Sequence, residues 1–426
     1  MKVVFICPPS PWLINDRDME MLGYLYVAAN VRKHGHEVQV ADLSGLKEKD
    51  WYIPKGELYA ITGTTPQEPY VKKIIQKLKK RQPRCRIVMG GVHATNCPER
   101  CLKLGADQVV VGEGEEVILE IINGRRDPIV RADFIQCLDD LPLPARDLVD
   151  SYSYQGLGTN SVIGDTPKMK ESYIMTARGC PYNCAFCAQA SMWKQKVREF
   201  SLDRVIREVT NVIDEYGVDR IYFEDDTLII NKSRVVKLCL ALKELRKKKL
   251  FDWHCLGRAS TTDEILYKLM VDCGCKQITY GIESFSDNLL KLMNKGTTGK
   301  MNYEAILTAK RAGLKVRGQL LVGFPGETWE DVKITAEYIK RSPADSYGVH
   351  IFIPFPGCDV WKNPDKYGVT IDTTTNFDNY HTIGKRGTHE VVVGDKDDII
   401  KRKKYLLKAV GDRDIATSAE RRSKDV

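Results

Sequence analysis

Twice along this chain, short apolar runs of strand length alternate with amphipathic runs of helical period, and few folds accommodate that order. In the first series Val3–Cys7, Glu37–Ala41, Leu58–Gly63, Arg86–Met89 and Gln108–Val111 read as strands. Between them, Met19–Lys33 places Met21, Leu25, Ala28 and Val31 roughly on one helical face. Pro69–Arg81 does the same with Val71, Ile74, Ile75 and Leu78, and Pro98–Leu104 and Glu115–Ile122 supply further helices. The expectation is a five-stranded, doubly wound (Rossmann-like) α/β unit over residues 1–145, with helices on both faces. Ligands of such folds lie beyond the carboxyl ends of the strands. The glycine-bearing stretches after the third, fourth and fifth strands fall there.

Residues 146–171 carry no clear period and include Tyr152, Tyr154, Gly156, Gly158 and Gly164; they read as a connector. A second series follows. Its strands are Tyr173–Ala177, Arg220–Glu224, Trp253–Leu256, Gln277–Gly281, Lys315–Leu321 and Gly348–Ile353. Its helices are Leu202–Glu215, Arg234–Lys247, Asp263–Asp272, Tyr303–Ala312 and Thr328–Arg341, with one more at Asp287–Met293. Six βα steps without a GxGxxG loop predict a partial or full TIM-type (β/α) barrel over residues 172–353. Functional residues should then stand at the strand carboxyl ends. Residues 354–426 read as a small extension that shapes the substrate mouth, with a basic helix at Asp398–Val410.

A chain of 426 residues, 43% hydrophobic and 29% charged, suits two or three such domains. Its 65 basic and 57 acidic residues leave a net +8, which permits an acidic partner but does not call for one. No RNP1, KH or GXXG module is visible, so a nucleic-acid partner is not expected. No run of 18 apolar residues occurs, and MKVVFICPPSPW meets its prolines too early for a signal peptide. A cytoplasmic protein without membrane association is the expectation.

Of the 13 cysteines, Cys7, Cys85, Cys137, Cys239, Cys255 and Cys358 are isolated and read as small buried hydrophobes. Cys97/Cys101 and Cys273/Cys275 are pairs with no second half nearby. The stretch ARGCPYNCAFCAQ differs: Cys180, Cys184 and Cys187 stand at C-x3-C-x2-C spacing directly after a strand. Three thiolates can hold three corners of an iron–sulfur cluster and leave one iron open to a small molecule. The competing reading, a zinc knuckle, needs a fourth ligand from a distant residue. Pro181 and Asn183 would curl the loop, and Phe186 would shield it.

Other polar residues follow the remaining strands. Glu224-Asp225-Asp226 puts three acids at a rim, which suits an amine or cation there, or else a solvated turn. Arg258 can pair with a carboxylate or form a surface ion pair. Glu283 and Ser284 can accept from hydroxyls. Gly323, Phe324, Pro325, Gly326 and Glu327 either bring backbone near a flat ligand or make a tight turn. An amino acid joined to a nucleoside fits this set.

These residues give the second domain a plain resemblance to the radical S-adenosylmethionine (SAM) superfamily, whose diagnostic motif is the C-x3-C-x2-C loop. The resemblance implies a 4Fe-4S cluster whose open iron chelates S-adenosylmethionine, and reductive cleavage to methionine and a 5′-deoxyadenosyl radical. It implies Glu224 or Asp225 as the amine contact, Arg258 as the carboxylate partner, and Glu283 and Ser284 as ribose contacts. GFPGET, with Gly323 and Phe324, and PFPGC at Pro354–Cys358 resemble one subgroup closely. The first domain is similar to the cobalamin-binding domain fused to such enzymes, through CPPS at Cys7–Ser10, the Leu22–Ala29 helix, GGVHAT at Gly90–Thr95 and VGEGE at Val111–Glu115. It lacks the D-x-H-x-x-G histidine that sits under cobalt elsewhere. The stretch ITGTTPQEPY occupies that region, so Thr64, Thr65, Gln67 or Tyr70, or Trp12 in the first loop, is expected to face cobalt, or a water. His93 is the nearest rival.

The resemblance implies a cobalamin-dependent radical methyltransferase acting on an unactivated sp3 carbon, fed by an external electron donor such as flavodoxin or ferredoxin. The substrate is a protein, peptide or small molecule; similar short enzymes modify side chains of methyl-coenzyme M reductase. The alternatives are a radical rearrangement or cyclisation of a small metabolite, and tRNA methylthiolation. The last needs a second cluster, to which Cys97, Cys101 and Cys137 are a poor match. Tyr152, Tyr154, His350, Tyr380 and His381 are candidates to line the substrate space.

Overall fold

The computed structural model describes the chain except residues 14, 18–19, 151–153, 155–169, 372–376, 378–379, 381–392 and 415–426. It divides into two units, residues 1–154 with 355–357 and 372–388, and residues 155–354 with 358–371 and 389–426. The stretch after Ile353 is thus shared between the two rather than forming a unit of its own.

In the first unit six parallel strands are β1 (Lys2–Cys7), β2 (Glu37–Asp42), β3 (Leu58–Ile61), β4 (Arg86–Met89), β5 (Gln108–Val111) and β6 (Ile129–Arg131). They lie in the order β2-β1-β3-β4-β5-β6. The sheet therefore has one strand more than the five expected. The three residues of β6, flanked by charge in RRDPIVRAD, are too few to display an alternation. Alternate residues of β1 serve two cores. Val4 and Ile6 pack with Val71, Ile74 and Leu78 of the helix Glu68–Arg81. Val3, Phe5 and Cys7 pack with Leu25, Ala28 and Ile121 of the helices Leu22–Lys33 and Gly114–Ile122. Each such buried aliphatic side chain stabilises the fold by about 1.5–3 kcal/mol. The strand order reverses between β1 and β3, which makes the crevice beyond their carboxyl ends the ligand position of this topology.

The second unit contains β7 (Glu171–Ile174), β8 (Ala177–Arg178), β9 (Arg198–Glu199), β10 (Arg220–Phe223), β11 (Asp252–Gly257), β12 (Cys275–Glu283), β13 (Lys315–Val322) and β14 (Ser346–Ile351). The parallel sheet runs β14-β13-β12-β11-β10-β7, and its end strands do not pair with each other, so the barrel is open. The strand expected at Tyr173–Ala177 is cut after Ile174. There the Asp225 carboxylate accepts from the Thr176 and Ala177 amides, each at 2.7 Å, and turns the chain off the sheet. Ala177 and Arg178 instead pair antiparallel with Glu199 and Arg198. The helices Leu202–Tyr216, Lys232–Arg246, Glu264–Asp272, Gly299–Arg311 and Trp329–Arg341 return the chain between strands. Each opens on a side-chain cap, from Ser201, Asn231, Asp263, Thr298 and Thr328 respectively. The helix Lys396–Val410 lies along β14. No described helix is long and apolar enough to cross a membrane.

Candidate active site

The cysteine loop is built by its closure. The β8–β9 ribbon brings residues 178 and 198 together, and the loop between them must turn tightly. Gly179 makes that turn with φ +100°, and a Cβ there would sit 1.9 Å from the Lys196 carbonyl oxygen, so no other residue fits. The middle of the loop is pinned from two sides. The Ala185 amide donates to the Met293 carbonyl at 2.9 Å, and Asn294 Nδ2 donates to the Asn183 carbonyl at 2.7 Å. Beneath it Ala185 joins a small core with Phe324, Phe352, Cys358 and Val360.

All three loop cysteines are free thiols. Burial pushes the Cys187 thiol up to about 12 and raises that of Cys180. A metal that binds these thiols takes the place of their protons. Among the described residues no three His, Cys, Asp or Glu side chains converge as ligands of a single metal ion would. A cubane asks for a wider set, since each thiolate binds a different iron. The donors fit it: three thiols on one closed loop, with the Arg258 guanidinium donating to Cys184 Sγ at 3.5 Å.

The acidic triplet after β10 separates into three roles. Asp225 is buried and accepts from Thr176 Oγ1 as well as the two amides, all at 2.7 Å, so it is a structural anchor of the cysteine loop. Asp226 accepts from Gln189 Nε2 at 2.9 Å. Glu224 is half-buried, and its carboxylate has no hydrogen-bond partner among the described residues. Burial, with Asp226 and Asp225 beside it, raises its pKa to about 8. An ammonium group would relieve that stress. Of the two residues expected as the amine contact, Glu224 is the available one.

Arg258, at the end of β11, lies over the Tyr182 ring at 3.6 Å and donates from Nε to Ser260 Oγ at 3.1 Å. It holds the loop itself rather than a carboxylate of the protein. Glu283 ends β12 in the left-handed region at φ +61°, a conformation that costs about 1–3 kcal/mol. Its carboxylate meets Lys295 Nζ at 2.9 Å, across a position where a Cβ on Gly281 would stand 2.6 Å from Glu283 Oε1. Ser284 is fully buried; its hydroxyl lies 2.9 Å from Thr335 Oγ1 and accepts from the Ser286 amide, so it is taken up in holding the strand end. Gly323, at φ +81°, and Phe324, packed 5.1 Å from Phe352, support the loop from below. Lys295 carried no signal in the sequence, because only the fold brings it to Glu283.

In the first unit, Gln67 bridges the crevice between the β1 and β3 loops. Its Nε2 donates to the Pro8 carbonyl at 2.8 Å and to Ser10 Oγ at 3.0 Å. Its Oε1 accepts from the Thr64 amide at 2.8 Å and from Thr64 Oγ1 at 3.1 Å. Thr64 and Gln67 are thereby occupied. Thr65 is buried against His93 Nδ1 at 3.3 Å. His93 is itself buried, with Nε2 2.9 Å from Glu68 Oε2, a carboxylate that also accepts from Arg100 Nη2 at 2.7 Å. Trp12 and Tyr70 are half-buried, with ring centroids 6.2 Å apart. Gly91, at φ +92°, lets the β4 loop approach the β3 loop, where a Cβ would stand 2.8 Å from Thr62 Oγ1. The close approach of these loops leaves an edge set with short polar side chains and two aromatic rings.

Among the residues expected to line the substrate space, Tyr154 is buried and donates to Asp42 Oδ2 at 2.6 Å, a packing role. Tyr380 is buried with its ring 4.6 Å from that of Phe377. His350 stands on β14 beside Gln319. Tyr152 and His381 lie outside the described residues.

Residues 174–339 match the Radical SAM superfamily, and residues 16–122 match the B12 binding domain. Over 415 residues the chain is 30% identical to an uncharacterised methyltransferase of Pyrococcus horikoshii, PH0819, spanning 90% of this chain and 87% of that one. It is 24% identical to hopanoid C-3 methylase of Methylococcus capsulatus, over 89% of this chain and 76% of the other. The structure of the radical S-adenosylmethionine methyltransferase TsrM from Kitasatospora setae, with cobalamin and a 4Fe-4S cluster bound, superposes with a TM-score of 0.72 at 15% identity, over 97% of this chain and 90% of that one. At that identity the likeness is one of fold.

Proposed function

The chain belongs to the radical SAM superfamily, in the branch that carries a B12 binding domain, and on that premise we propose that it methylates an unactivated sp3 carbon. Its cofactors are a 4Fe-4S cluster, S-adenosylmethionine and cobalamin. When bound, they supply one-electron cleavage of S-adenosylmethionine and methyl donation.

The observation that carries the reading is the pairing, in one chain, of a closed three-cysteine loop and a B12-type sheet with a switch point between β1 and β3. Cys180, Cys184 and Cys187 would hold the cluster, with Arg258 donating to Cys184 Sγ. Glu224, lacking a hydrogen-bond partner among the described residues, accepts the amino group of S-adenosylmethionine. Asp225 positions the loop through Thr176 and Ala177. Glu283, fixed by Lys295, faces the ribose hydroxyls. In the first unit Trp12, Tyr70 or a water would face cobalt, because His93 is spent on Glu68.

The acceptor carbon belongs to a protein or peptide side chain, as in methyl-coenzyme M reductase, or to a small molecule, and a flavodoxin or ferredoxin delivers the electrons. Extract of the source cell, anaerobic reconstituted protein, reductant and methyl-labelled S-adenosylmethionine test this. Label should enter a carbon position stable to acid and base, in either the protein or the small-molecule fraction. Label confined to sulfur or oxygen positions would contradict carbon methylation.

A further inference from the structure

The inner face of β13 and β14 carries a chain of three polar side chains that the cofactors named above do not use. Arg317, Gln319 and Leu321 alternate along β13 and so share one face. Leu321 packs against the core that holds Ala185 of the cysteine loop, which identifies that face as the one under the loop. His350 stands opposite Leu321 on β14.

The direction of the chain is fixed by its anchor. Arg317 is buried, and a guanidinium can only donate. The Gln319 amide therefore turns its oxygen to Arg317 Nε and Nη2, at 3.0 and 3.2 Å, and its nitrogen then donates to His350 Nε2 at 2.8 Å. An imidazole that accepts at Nε2 carries its proton at Nδ1. Gly348 is what lets the two side chains meet. A Cβ at that position would lie 2.3 Å from the Gln319 amide nitrogen that faces His350 and 2.8 Å from His350 Nε2. Burial, with Arg317 and Lys403 as neighbouring cations, lowers the imidazole to about 4, so it is neutral at physiological pH. Nδ1–H has no partner among the described residues, and His350 is half-buried.

We propose that His350 Nδ1–H is a substrate-positioning donor in the barrel mouth, polarised through Gln319 by Arg317, and that it selects a substrate bearing a carboxylate or phosphate oxygen near the reacting carbon. The surroundings agree in sign: two cations flank the imidazole, and a substrate ammonium there would meet like charge. The assignment rests on the barrel being the place of reaction.

The test is nitrogen NMR of the full chain, anaerobically reconstituted and labelled with nitrogen-15 histidine, with His350 assigned by the signal lost in His350→Asn. At neutral pH the Nδ1-protonated tautomer is expected. Acetate and inorganic phosphate should shift Nδ1, methylammonium should not, and the anion shift should persist with S-adenosylmethionine saturating. An Nε2-protonated ring, or no anion response, would overturn the proposal. So would an anion response abolished by S-adenosylmethionine, since the donor would then serve that cofactor's carboxylate. Gly348→Ala should mix the tautomers and weaken the response; an unaltered spectrum in a folded variant would refute the polarised chain. Cleavage of S-adenosylmethionine by the wild-type protein is followed in the same preparations. Anion response without cleavage upholds the donor and contradicts the methyltransferase reading; cleavage without anion response does the reverse.

Discussion

At the end of β10 two adjacent carboxylates separate by what already holds them. Asp225 accepts three hydrogen bonds and is spent on the fold, whereas Glu224 has none among the described residues. A carboxyl raised to about 8 holds more protons in the folded than in the unfolded chain between about pH 4.5 and 8. The cofactor-free protein therefore loses stability through this group as pH rises across that window. Pairing with an ammonium needs the carboxylate, so binding of S-adenosylmethionine at pH 7 should release about one proton. Calorimetry in buffers of different ionisation enthalpy reads that number. Glu224→Gln should abolish the release and weaken binding about tenfold or more. Unchanged proton release in that variant would remove Glu224 from the amine site.

Glu68 behaves in the opposite sense. Burial raises it, but His93 and Arg100 outweigh burial and hold it below the ordinary carboxylate range. A depressed carboxyl contributes stability above its unfolded pKa and loses it as pH falls through the folded value. Acid unfolding of the first unit should thus be displaced below about pH 4.5, and Glu68→Gln should cost about 3 kcal/mol at neutral pH and lose that acid dependence. The same pairing bears on cobalt. Paramagnetic resonance of the Co(II) form should show no splitting from a strongly coupled nitrogen. A resolved nitrogen coupling that disappears in a His93 variant would contradict the assignment of Trp12, Tyr70 or water to that face.

Among the elements, the β8–β9 ribbon is the one on which the cluster depends. Gly179→Ala sets a Cβ 1.9 Å from the Lys196 carbonyl at φ +100°. It should lower iron content at least severalfold with little change in far-ultraviolet dichroism, because the parallel sheet does not include this ribbon. Full iron loading in Gly179→Ala would mean that the ribbon does not shape the site. The periodic elements were legible: Arg86–Met89 and Gln108–Val111 are strands to the residue, and the barrel helices fall within a few residues of expectation. What periodicity could not carry was tertiary. The ribbon has two residues a side, and the break after Ile174 is imposed by Asp225, some fifty residues away. Cys180, Cys184 and Cys187 could be read because a single loop carries them. The Glu283–Lys295 pair and the Arg317–Gln319–His350 chain could not, since the loop that follows β12 assembles the first and the register of β13 with β14 the second. Ser284 and Phe324 stood at strand ends as expected, yet they face into the protein, a distinction that position along a strand does not make.

For the whole molecule, methyl transfer differs from a rearrangement or cyclisation on the same two-unit layout in consuming a methyl donor as well as the radical. The measurement that bears on this most directly is the product ratio in a reaction with methyl-labelled S-adenosylmethionine, reductant, cobalamin and substrate. Methyl transfer by this route consumes one S-adenosylmethionine for hydrogen abstraction and another to restore the methyl donor. 5′-Deoxyadenosine and S-adenosylhomocysteine should accumulate in about equal amounts, with label in the product. 5′-Deoxyadenosine formed in step with product, without S-adenosylhomocysteine and without label transfer, would contradict the account.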